Sequence, residues 1–424
     1  MTPDLVAAHV VRRPGAVWLD GGAHDWHVLV WGPEEVVRDG HLWPEVGRGL
    51  SGRGSGDAEA PFHAGCVGYV GFGAGHRVQP VPAGPRAWEP EVWLGRYPGA
   101  LCYHPKGQRW VATGEPERRA EARALLEQVA STTEAPPGGP VGWWTTGALD
   151  YQQRVRRILE WIHAGDCYQV NLTRPVWVDP APDPWQTYLR MRGDNAAAWG
   201  AFMNLGHNQF VASNSPEQFL SIRDRRVVTR PIKGTRPRHE DAERDAQLRE
   251  ALRNSAKDQA ELTMIVDLVR NDLGRVCRPD SIGAGPRVLE RHANVHHASQ
   301  EVHGDLHEGR DAWDALAAAF PPGSVTGAPK VRACQRIAEL ERHARGVYCG
   351  SIGYVDASGN AEWNVAIRTA VWDGARARYH VGGGIVAASD PAEEWDETCA
   401  KGRVLAAAMG IAERGSGRGS PNMA

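Results

Sequence analysis

The order of the predicted elements indicates an α+β fold built on antiparallel sheets. Predicted strands and helices come in separate blocks along the chain, whereas a doubly wound α/β protein alternates them one by one. The 424 residues are enough for two domains, or for one large composite domain with a full hydrophobic core. We find no internal repeat at the periods typical of solenoids or propellers, which argues against those architectures.

The first part of the chain, residues 1–135, is predicted to hold short strands separated by glycine-rich turns, followed by one helix. Apolar residues among charges recur at helical spacing over Pro116–Val129, which predicts that helix. The strands are predicted at Trp18–Asp20, Trp26–Trp31 and Glu91–Leu94.

Cys66 lies in the segment Phe62–Tyr69, which allows two interpretations. The segment resembles the nucleophilic cysteine turn of a glutamine amidotransferase. However, no His-Gln pair follows Cys66, and no later histidine and glutamate complete a triad. A buried, glycine-rich strand is therefore favoured.

The segment Ala135–Pro140 consists mainly of proline and glycine and marks the predicted domain boundary. It separates a strand-rich structural or regulatory domain, residues 1–135, from a catalytic domain, residues 141–412. The tail, residues 414–424, is rich in glycine and serine and is predicted to be disordered.

The catalytic domain is predicted to begin with an amphipathic helix and to end with a long one. Ser255 is a plausible cap that divides a long helical region into two segments. The predicted helices are Tyr151–Ala164, Glu240–Arg275 with its second segment Ala256–Leu273, Asp311–Phe320, Pro329–Arg345 and about Pro391 to Ala412. The predicted strands are Cys167–Thr173, Phe210–Ala212, Phe219–Ile222, Val227–Arg230, Tyr348–Val355, Val365–Trp372 and Arg378–Val381.

Composition excludes several classes of function. Charged residues make up 23% of the chain and the net charge is −3, so no global field favours nucleic acid or membranes. The seven cysteines are odd in number and form no CxxC pair, which predicts reduced thiols in a cytoplasmic protein and argues against structural zinc. No signal peptide opens the chain, and the apolar runs are too short to span a bilayer.

The stretch Arg230–Arg238 is the first candidate for chemistry. Its sequence, Arg-Pro-Ile-Lys-Gly-Thr-Arg-Pro-Arg, places Lys233 beside a glycine and between two prolines, which predicts a stiff loop that aims the lysine. Arg230, Arg236 and Arg238 should attract an anionic substrate and, with partial desolvation, lower the pKa of Lys233. The alternative is a basic surface turn after the strand Val227–Arg230.

The last predicted helix carries Glu394, Glu397 and Lys401 on one face, because they are spaced three and four residues apart. Two carboxylates so placed suit a hard cation such as Mg²⁺, although such Glu–Lys pairs are also common on solvated helix faces. Just before the helix, Gly382–Gly384 leave backbone N–H groups that can approach a carboxylate or phosphate. A plain bulge is the alternative there.

Further candidates are single polar residues in apolar surroundings. Glu261 is either a solvated partner of Lys257 or a second metal carboxylate. Arg368, in a predicted apolar strand, must pair with a carboxylate of the protein or of a ligand. Thr326–Lys330 reads as a helix start that can bind an anion but lacks the spacing of a Walker loop. Histidines 292, 296, 297 and 303 lack a regular zinc-ligand spacing.

Taken together over about residues 147–405, these blocks resemble the chorismate-utilising family, which comprises anthranilate, aminodeoxychorismate, isochorismate and salicylate synthases. The resemblance implies large antiparallel β-sheets packed face to face with flanking helices, and it implies that Phe62–Tyr69 is a structural strand. The matching blocks are Cys167–Thr173, Ser215–Glu217, Pro231–Thr235, Ala256–Arg275, Pro321–Lys330, Tyr348–Tyr354, Ala366–Thr369 and Gly382–Lys401.

Within the family, Pro231-Ile232-Lys233-Gly234-Thr235 resembles the aminodeoxychorismate synthase component I branch, since anthranilate synthases usually have alanine in place of the lysine. The resemblance implies that Lys233 is a nucleophile towards C2 of chorismate and that Glu217 is the general acid at the C4 hydroxyl. It places His297 near the reacting ring. It further implies Mg²⁺ on Glu261, Glu394 and Glu397, and substrate contacts from Gly234, Thr235, Tyr348, Arg368, Gly382, Gly383, Gly384 and Lys401.

Several points stay open at this stage. No glutaminase domain is found, so ammonia would be free or would come from a separate glutaminase subunit. The product is expected to lead to 4-aminobenzoate, for folate or for a specialised aromatic compound. C2 chemistry, giving anthranilate or isochorismate, is the alternative, and a non-catalytic chorismate binder is another. Gln218 and Ala298-Ser299-Gln300 depart from the usual family pattern without removing a group that the chemistry needs.

Overall fold

The computed structural model describes residues 2–21, 25–39, 43–51, 60–129, 141–193, 196–292 and 295–411. The helices are α1 (Pro3–Ala8), α2 (Trp43–Ser51), α3 (Pro116–Gln128), α4 (Ala148–His163), α5 (Pro184–Arg192), α6 (Ala242–Asn254), α7 (Ala256–Leu273), α8 (Ala312–Ala319), α9 (Lys330–Leu340) and α10 (Pro391–Ala408).

The strands of the first part of the chain are β1 (Val17–Asp20), β2 (His27–Val30), β3 (Glu35–Arg38), β4 (Gly65–Val70), β5 (Val92–Tyr97), β6 (Leu101–His104) and β7 (Arg109–Ala112). The second part contributes β8 (Gly142–Thr145), β9 (Gln169–Asp179), β10 (Trp199–Gly206), β11 (Gln209–Ser215), β12 (Gln218–Arg223), β13 (Arg226–Thr229), β14 (Ile232–Pro237), β15 (Gly283–Arg291), β16 (Val295–Asp305), β17 (Gly327–Ala328), β18 (Ser351–Asp356), β19 (Ala361–Asn364), β20 (Thr369–Asp373) and β21 (Arg376–Val386).

These strands form two large antiparallel sheets. The 11-stranded sheet has the order β17-β9-β21-β20-β11-β10-β1-β2-β6-β7, with β8 also paired to β9. The 10-stranded sheet has the order β14-β16-β13-β12-β19-β18-β4-β5-β3, with β15 also paired to β16. Each sheet takes strands from both parts of the chain, because β1 pairs with β10 and β4 pairs with β18.

The two sheets pack face to face over a shared core. Successive residues of a strand point to opposite faces, so neighbours in β1 enter different cores. Val17 packs between the sheets with Val67, Trp93 and Ile352 of the other sheet. Its neighbour Trp18 faces outwards, into a second core formed by α1, α3, α5 and α10.

A third core covers the outer face of the 10-stranded sheet. Leu262 and Ile265 of α7 and Trp313 of α8 pack there against Leu220 and Val302 of the sheet. A smaller cluster joins α4 and α9 to β9 and β21. The result is a helix–sheet–sheet–helix sandwich, which confirms the predicted α+β class.

Most predicted elements are present, and the corrections concern their ends. The helices α3, α6 and α7 lie where predicted, and the Ser255 side chain caps α7 by accepting from the backbone N–H of Asp258 at 3.2 Å. The helix predicted to reach Arg345 ends at Leu340, and the last helix ends at Ala408. The linker at Ala135–Pro140 and the tail after residue 411 lie outside the described residues.

All seven cysteines are free, as predicted, and Cys66 is fully buried in β4, which agrees with the structural reading of that segment. Among the residues described, no helix has both the length and the apolar character required to cross a bilayer.

Candidate active site

Lys233 lies on an edge strand, and not in the loop that its sequence predicts. β14 pairs with β16, but the register shifts between Ile232 and Thr235, so Lys233 and Gly234 form an irregularity in the strand. Such irregularities redirect side chains. Gly234 has φ +84, and an added Cβ would lie 2.8 Å from Leu252 and 2.9 Å from Asp258, so this position requires glycine.

The Lys233 amine is held by a neutral group. Its Nζ donates to the Ser324 carbonyl at 2.9 Å, and within the described ranges it forms no ion pair. Burial lowers the pKa of Lys233, and Lys401 adds to this effect, whereas Glu217 and Glu261 oppose it. The amine is therefore easier to deprotonate than an ordinary lysine, which suits a nucleophile.

The nearby arginines do not produce this shift, contrary to the prediction. Arg230 pairs with Glu301 at 2.9 Å, Arg236 with Asp258 at 3.0 Å and Arg238 with Asp245 at 2.8 Å. Each positive charge is offset by its own carboxylate, so these residues fasten β14 to its neighbours.

Glu217 follows β11 and is almost fully buried. Burial raises the pKa of Glu217, while Lys233 and hydrogen bonds from the Ser324 side chain and the Ile232 backbone partly counter this. A carboxyl group in this environment holds its proton to a higher pH than usual and can act as a general acid. Ser324 thus contacts both the predicted acid and the predicted nucleophile.

Glu261 is half-buried on α7, which packs on β14. Burial raises the pKa of Glu261, the positive charges of Lys233 and Lys257 lower it, and Asp258 and Glu397 raise it further. Glu261 is therefore within electrostatic range of Lys233 and of Glu397 on α10. No ion pair joins it to Lys257 in the described structure, although the charge of Lys257 acts on its pKa.

The acidic residues of α10 converge over Gly383 of β21. An added Cβ at Gly383 would lie 3.0 Å from Glu394 Oε2, 3.5 Å from Glu397 Oε1 and 3.9 Å from Lys401 Nζ. Glu394 Oε1 accepts from Ser389 at 2.6 Å, but Glu394 Oε2 is buried without a hydrogen-bond partner. The glycine therefore leaves room for this cluster.

These carboxylates fit a hard divalent cation. An unpartnered, buried carboxylate oxygen is costly unless a cation or a proton satisfies it. Burial raises the pKa of Glu394, as does the charge of Glu397, whereas the Ser389 bond lowers it. In the described part of the chain, no three His, Cys, Asp or Glu side chains already surround one metal position. Glu397 is instead paired with Lys401 at 2.6 Å.

The three glycines of β21 play different parts. Gly382 offers its carbonyl to Lys401 Nζ at 3.1 Å, and an added Cβ there would clash with the Leu172 carbonyl. The space beside Gly384 is filled by the amide of Gln169, at 2.1 Å from an added Cβ. The whole segment pairs with β9, so it is a regular strand and not the bulge that was the alternative.

Arg368 lies in a break between β19 and β20, not inside a strand as predicted. Its φ is +49, which is strained for a residue with a side chain. The guanidinium has no hydrogen bond or ion pair within the described residues, and burial lowers its pKa. Of the two predicted partners, a carboxylate of the protein is therefore absent in that part of the chain.

His297 lies on β16 opposite Thr235, as the cross-strand register requires. Its Nδ1 lies 2.9 Å from Thr235 Oγ1, and its ring is 5.3 Å from that of His292. Burial, His292 and Arg368 lower the pKa of His297 to about 4, so the imidazole is neutral near pH 7. The electrostatic link to Arg368 also shows that His297 and Arg368 face the same region.

Tyr348 is buried and stacks on His380, with the two ring centroids 5.3 Å apart and the planes at 15°. Its neighbour Cys349 bonds to the Ala366 carbonyl at 2.8 Å, which ties Tyr348 to the segment that carries Arg368. Among the described residues, no hydrogen bond or ring contact joins the Tyr348 side chain to Lys233 or to the site carboxylates.

The predicted anion site at Thr326–Lys330 is occupied by structural contacts. The Thr326 hydroxyl bonds to the carbonyls of Pro322 and Gly323, and Gly327 and Ala328 pair with β9. Lys330 Nζ is buried at 2.6 Å from both Asp272 and the Ala319 carbonyl. The helix begins only at Lys330, so the segment before it has a structural role.

The structure thus brings Glu217, Lys233, Glu261, Glu397 and Lys401 into one electrostatic neighbourhood, with Glu394 and Gly383 at its edge. Arg368, His297 and Thr235 form an adjoining group. Sequence reasoning missed Ser324 and Gln169. Both residues lie inside the blocks that match the family. The only feature that could have marked them as site residues is a polar side chain in an otherwise buried segment.

Comparison with known proteins identifies the family. Residues 15–407 match the family described as "chorismate binding enzyme". Anthranilate synthase component 1 of Streptomyces coelicolor is 38% identical over 378 residues, covering 83% of this chain and 74% of that protein. Aminodeoxychorismate synthase component 1 of Salmonella typhimurium is 38% identical over 347 residues, covering 81% and 76%. The crystal structure of anthranilate synthase component I from Streptococcus pneumoniae superposes with a TM-score of 0.81 at 25% identity, covering 91% and 93%.

Proposed function

Because the chain belongs to the chorismate-binding enzyme family, we propose that it converts chorismate and ammonia into 4-amino-4-deoxychorismate with Lys233 as a covalent nucleophile. The observation that carries this proposal is the Lys233 amine. It is partly buried, its pKa is lowered, and its hydrogen-bond acceptor is a carbonyl. A lysine kept from a carboxylate in this way retains a lone pair for attack once it loses its proton.

The proposed reaction uses the two groups that Ser324 holds together. The neutral Lys233 amine forms a bond to C2 of the ring as the double bonds shift. Glu217 protonates the C4 hydroxyl, which leaves as water. Ammonia then forms a bond to C4 and the lysine amine is expelled, so that chorismate and ammonia yield aminodeoxychorismate and water.

Glu261, Glu394 and Glu397 would hold Mg²⁺, which supplies positive charge for the ring carboxylate when bound. Arg368, which has no protein carboxylate as a partner in the described residues, would receive the other carboxylate of the dianion, aided by Lys401. His297 is neutral and can hydrogen-bond to the ring substituents without adding charge. A separate glutaminase subunit would deliver the ammonia.

A second candidate is amination at C2, which gives anthranilate. One observation supports this candidate. The chain is 38% identical to an anthranilate synthase component 1, and it is equally identical to an aminodeoxychorismate synthase component 1, so identity does not separate the two reactions. In that reaction Lys233 would act as a base or as a positive charge, without a covalent bond to the ring. Hydration to isochorismate is a third outcome of the same site.

The test is a product assay with the chain, chorismate, Mg²⁺ and ammonium, analysed by mass spectrometry. We expect aminodeoxychorismate, which an added lyase converts to 4-aminobenzoate. A predominant peak of anthranilate or isochorismate would reject the C4 assignment. Repeating the assay with glutamine and a glutaminase subunit in place of ammonium shows whether such a partner delivers nitrogen to this chain.

A further inference from the structure

Lys401 lies against one of the three carboxylates assigned to the metal. Its Nζ contacts Glu397 Oε1 at 2.6 Å and the Gly382 carbonyl at 3.1 Å. The position of an added Cβ at Gly383 lies within 3.9 Å of this Nζ and 3.0 Å of the unpartnered Glu394 Oε2. A positive charge of the protein's own thus contacts Glu397, one of the three carboxylates that would hold the cation.

An ammonium group and a divalent cation compete for the same oxygen atoms. A carboxylate oxygen that receives a short, charge-assisted hydrogen bond has given up much of its capacity to bind a second cation. The two positive charges also repel one another at such a distance. Lys401 can move away because its side chain is flexible and half-exposed, 50% by surface area.

We propose that Lys401 is a displaceable internal cation that holds Glu397 until a divalent metal binds and then turns to an anionic group of the substrate. The inference rests on the proposed function for the identity of the metal site and of the dianionic substrate. Lys401 is then a positioning residue for Glu397 in the free protein and a contact for the substrate in the loaded one.

This arrangement makes metal binding and substrate binding depend on each other. The metal releases Lys401, which strengthens the binding of the dianion, and by reciprocity the dianion strengthens the binding of the metal. Removal of the lysine should therefore tighten the metal in the absence of substrate, yet reduce the gain that chorismate brings.

A different reading is that Lys401 and Glu397 form an ordinary exposed pair four residues apart on a helix. Lys257 offers a matched control for this reading. It influences the same three carboxylates electrostatically, but in the described structure it makes no ion pair with any of them. A general effect of removing charge should appear equally in both lysine variants and should fade at high salt.

The experiment measures Mn²⁺ binding to the full chain by electron paramagnetic resonance, with and without chorismate, for wild type, Lys401→Met and Lys257→Met. Without chorismate, we expect Lys401→Met to bind Mn²⁺ roughly tenfold more tightly than wild type, and Lys257→Met at most about threefold more tightly. The Lys401 effect should persist at 0.5 M salt. Chorismate should tighten Mn²⁺ in wild type by a larger factor than in Lys401→Met.

Unchanged or weaker Mn²⁺ binding in Lys401→Met, or equal effects in both variants, overturns the inference while the proposed metal site stands. Absence of Mn²⁺ binding in every variant, with and without chorismate, overturns the inference together with the metal site of the proposed function. Neither readout depends on turnover.

Discussion

The candidate site lies next to a second buried polar cluster. In that cluster the charged side chains are paired with one another within the protein. This paired cluster consists of Asp272, Lys330, Glu341 and Arg345. Lys330 meets Asp272 at 2.6 Å, and Arg345 meets Glu341 at 2.8 Å from each of two nitrogens, Nε and Nη2. Each charged side chain of this cluster is paired with one of opposite charge, which is how buried charges are normally tolerated in a folded protein.

In the candidate site two cations, Lys233 and Arg368, are left without such partners in the described structure. Lys233 donates to a carbonyl, and Arg368 makes no ion pair among the described residues. Lys330 and Lys233 both donate hydrogen bonds to the same stretch of chain. Lys330 donates to the Ala319 carbonyl and Lys233 to the Ser324 carbonyl. The difference teaches that burial alone does not separate the two kinds of cation, whereas a missing protein carboxylate distinguishes Lys233 and Arg368 from Lys330 and Arg345.

The largest expected effect separates the two lysines. Lys233→Met should lower kcat/KM for chorismate by a factor on the order of 10³ or more, because the nucleophile is lost, with unfolding free energy unchanged or higher. Lys330→Met should instead destabilise the fold by about 3 kcal/mol, because Asp272 loses its closest partner. Urea denaturation and a coupled product assay on both variants measure this contrast.

A double variant is the control for this contrast between the two lysines. Lys330→Met combined with Asp272→Leu should recover much of the lost stability, since no charge is then left buried alone. If Lys233→Met destabilised the fold as much as Lys330→Met, the distinction between the two clusters would be wrong.

The two arginines provide the next comparison. Arg368→Gln should raise KM for chorismate roughly 10- to 100-fold with little change in stability, because a charge-assisted bond to the substrate is lost and no protein bond is. Arg345→Gln should destabilise the fold, since Glu341 would lose a bidentate partner. Steady-state kinetics and thermal unfolding of the two variants decide this; an unchanged KM in Arg368→Gln would contradict the assignment.

A pH effect is expected from His297. Its pKa is lowered from 6.5 to about 4 in the folded chain, so the unfolded chain binds more protons between these values. Stability should therefore fall as the pH falls from about 6.5 towards 4, by up to about 3 kcal/mol from this residue alone. His297→Gln should remove that part of the pH dependence in urea titrations at pH 7 and 4.5. Parallel pH profiles for wild type and variant would show that the imidazole is not held neutral.

The smallest expected effect tests the space over β21. Gly383→Ala places a methyl group 3.0 Å from Glu394 Oε2 and should weaken Mn²⁺ binding in the presence of chorismate several-fold, by roughly 1 kcal/mol. Gly147→Ala is a suitable control, because an added Cβ there meets nothing within 4 Å. Equal Mn²⁺ affinity in the two variants would remove Gly383 from the description of the metal site.

The parts of this molecule that sequence could predict are those that local patterns determine. The helix α7 and its Ser255 cap follow from apolar spacing and a capping residue, and the spacing of Glu394, Glu397 and Lys401 fixes their common helix face. The bulge at Lys233 depends on the register with β16, which no local pattern reveals.

Contacts between distant residues account for the rest. Arg230 and Glu301 are 71 residues apart, so the sequence could not show that this arginine is neutralised. Ser324 lies 91 residues from Lys233, and its contact with that lysine uses a backbone carbonyl, which every residue has. The break in the strand at Arg368 was hidden because the residues before it, Val365–Ile367, and the strand that resumes after Thr369 are mostly apolar.

The most direct test of the central claim is to trap the lysine adduct. The chain is mixed with chorismate and Mg²⁺ in the absence of ammonium, quenched rapidly, digested and examined by mass spectrometry. The peptide containing Lys233 should gain the mass of chorismate less one water, and Lys233→Met should show no such gain. If the added mass lies on another peptide, or never appears while aminodeoxychorismate forms at the normal rate once ammonium is present, Lys233 is not the nucleophile.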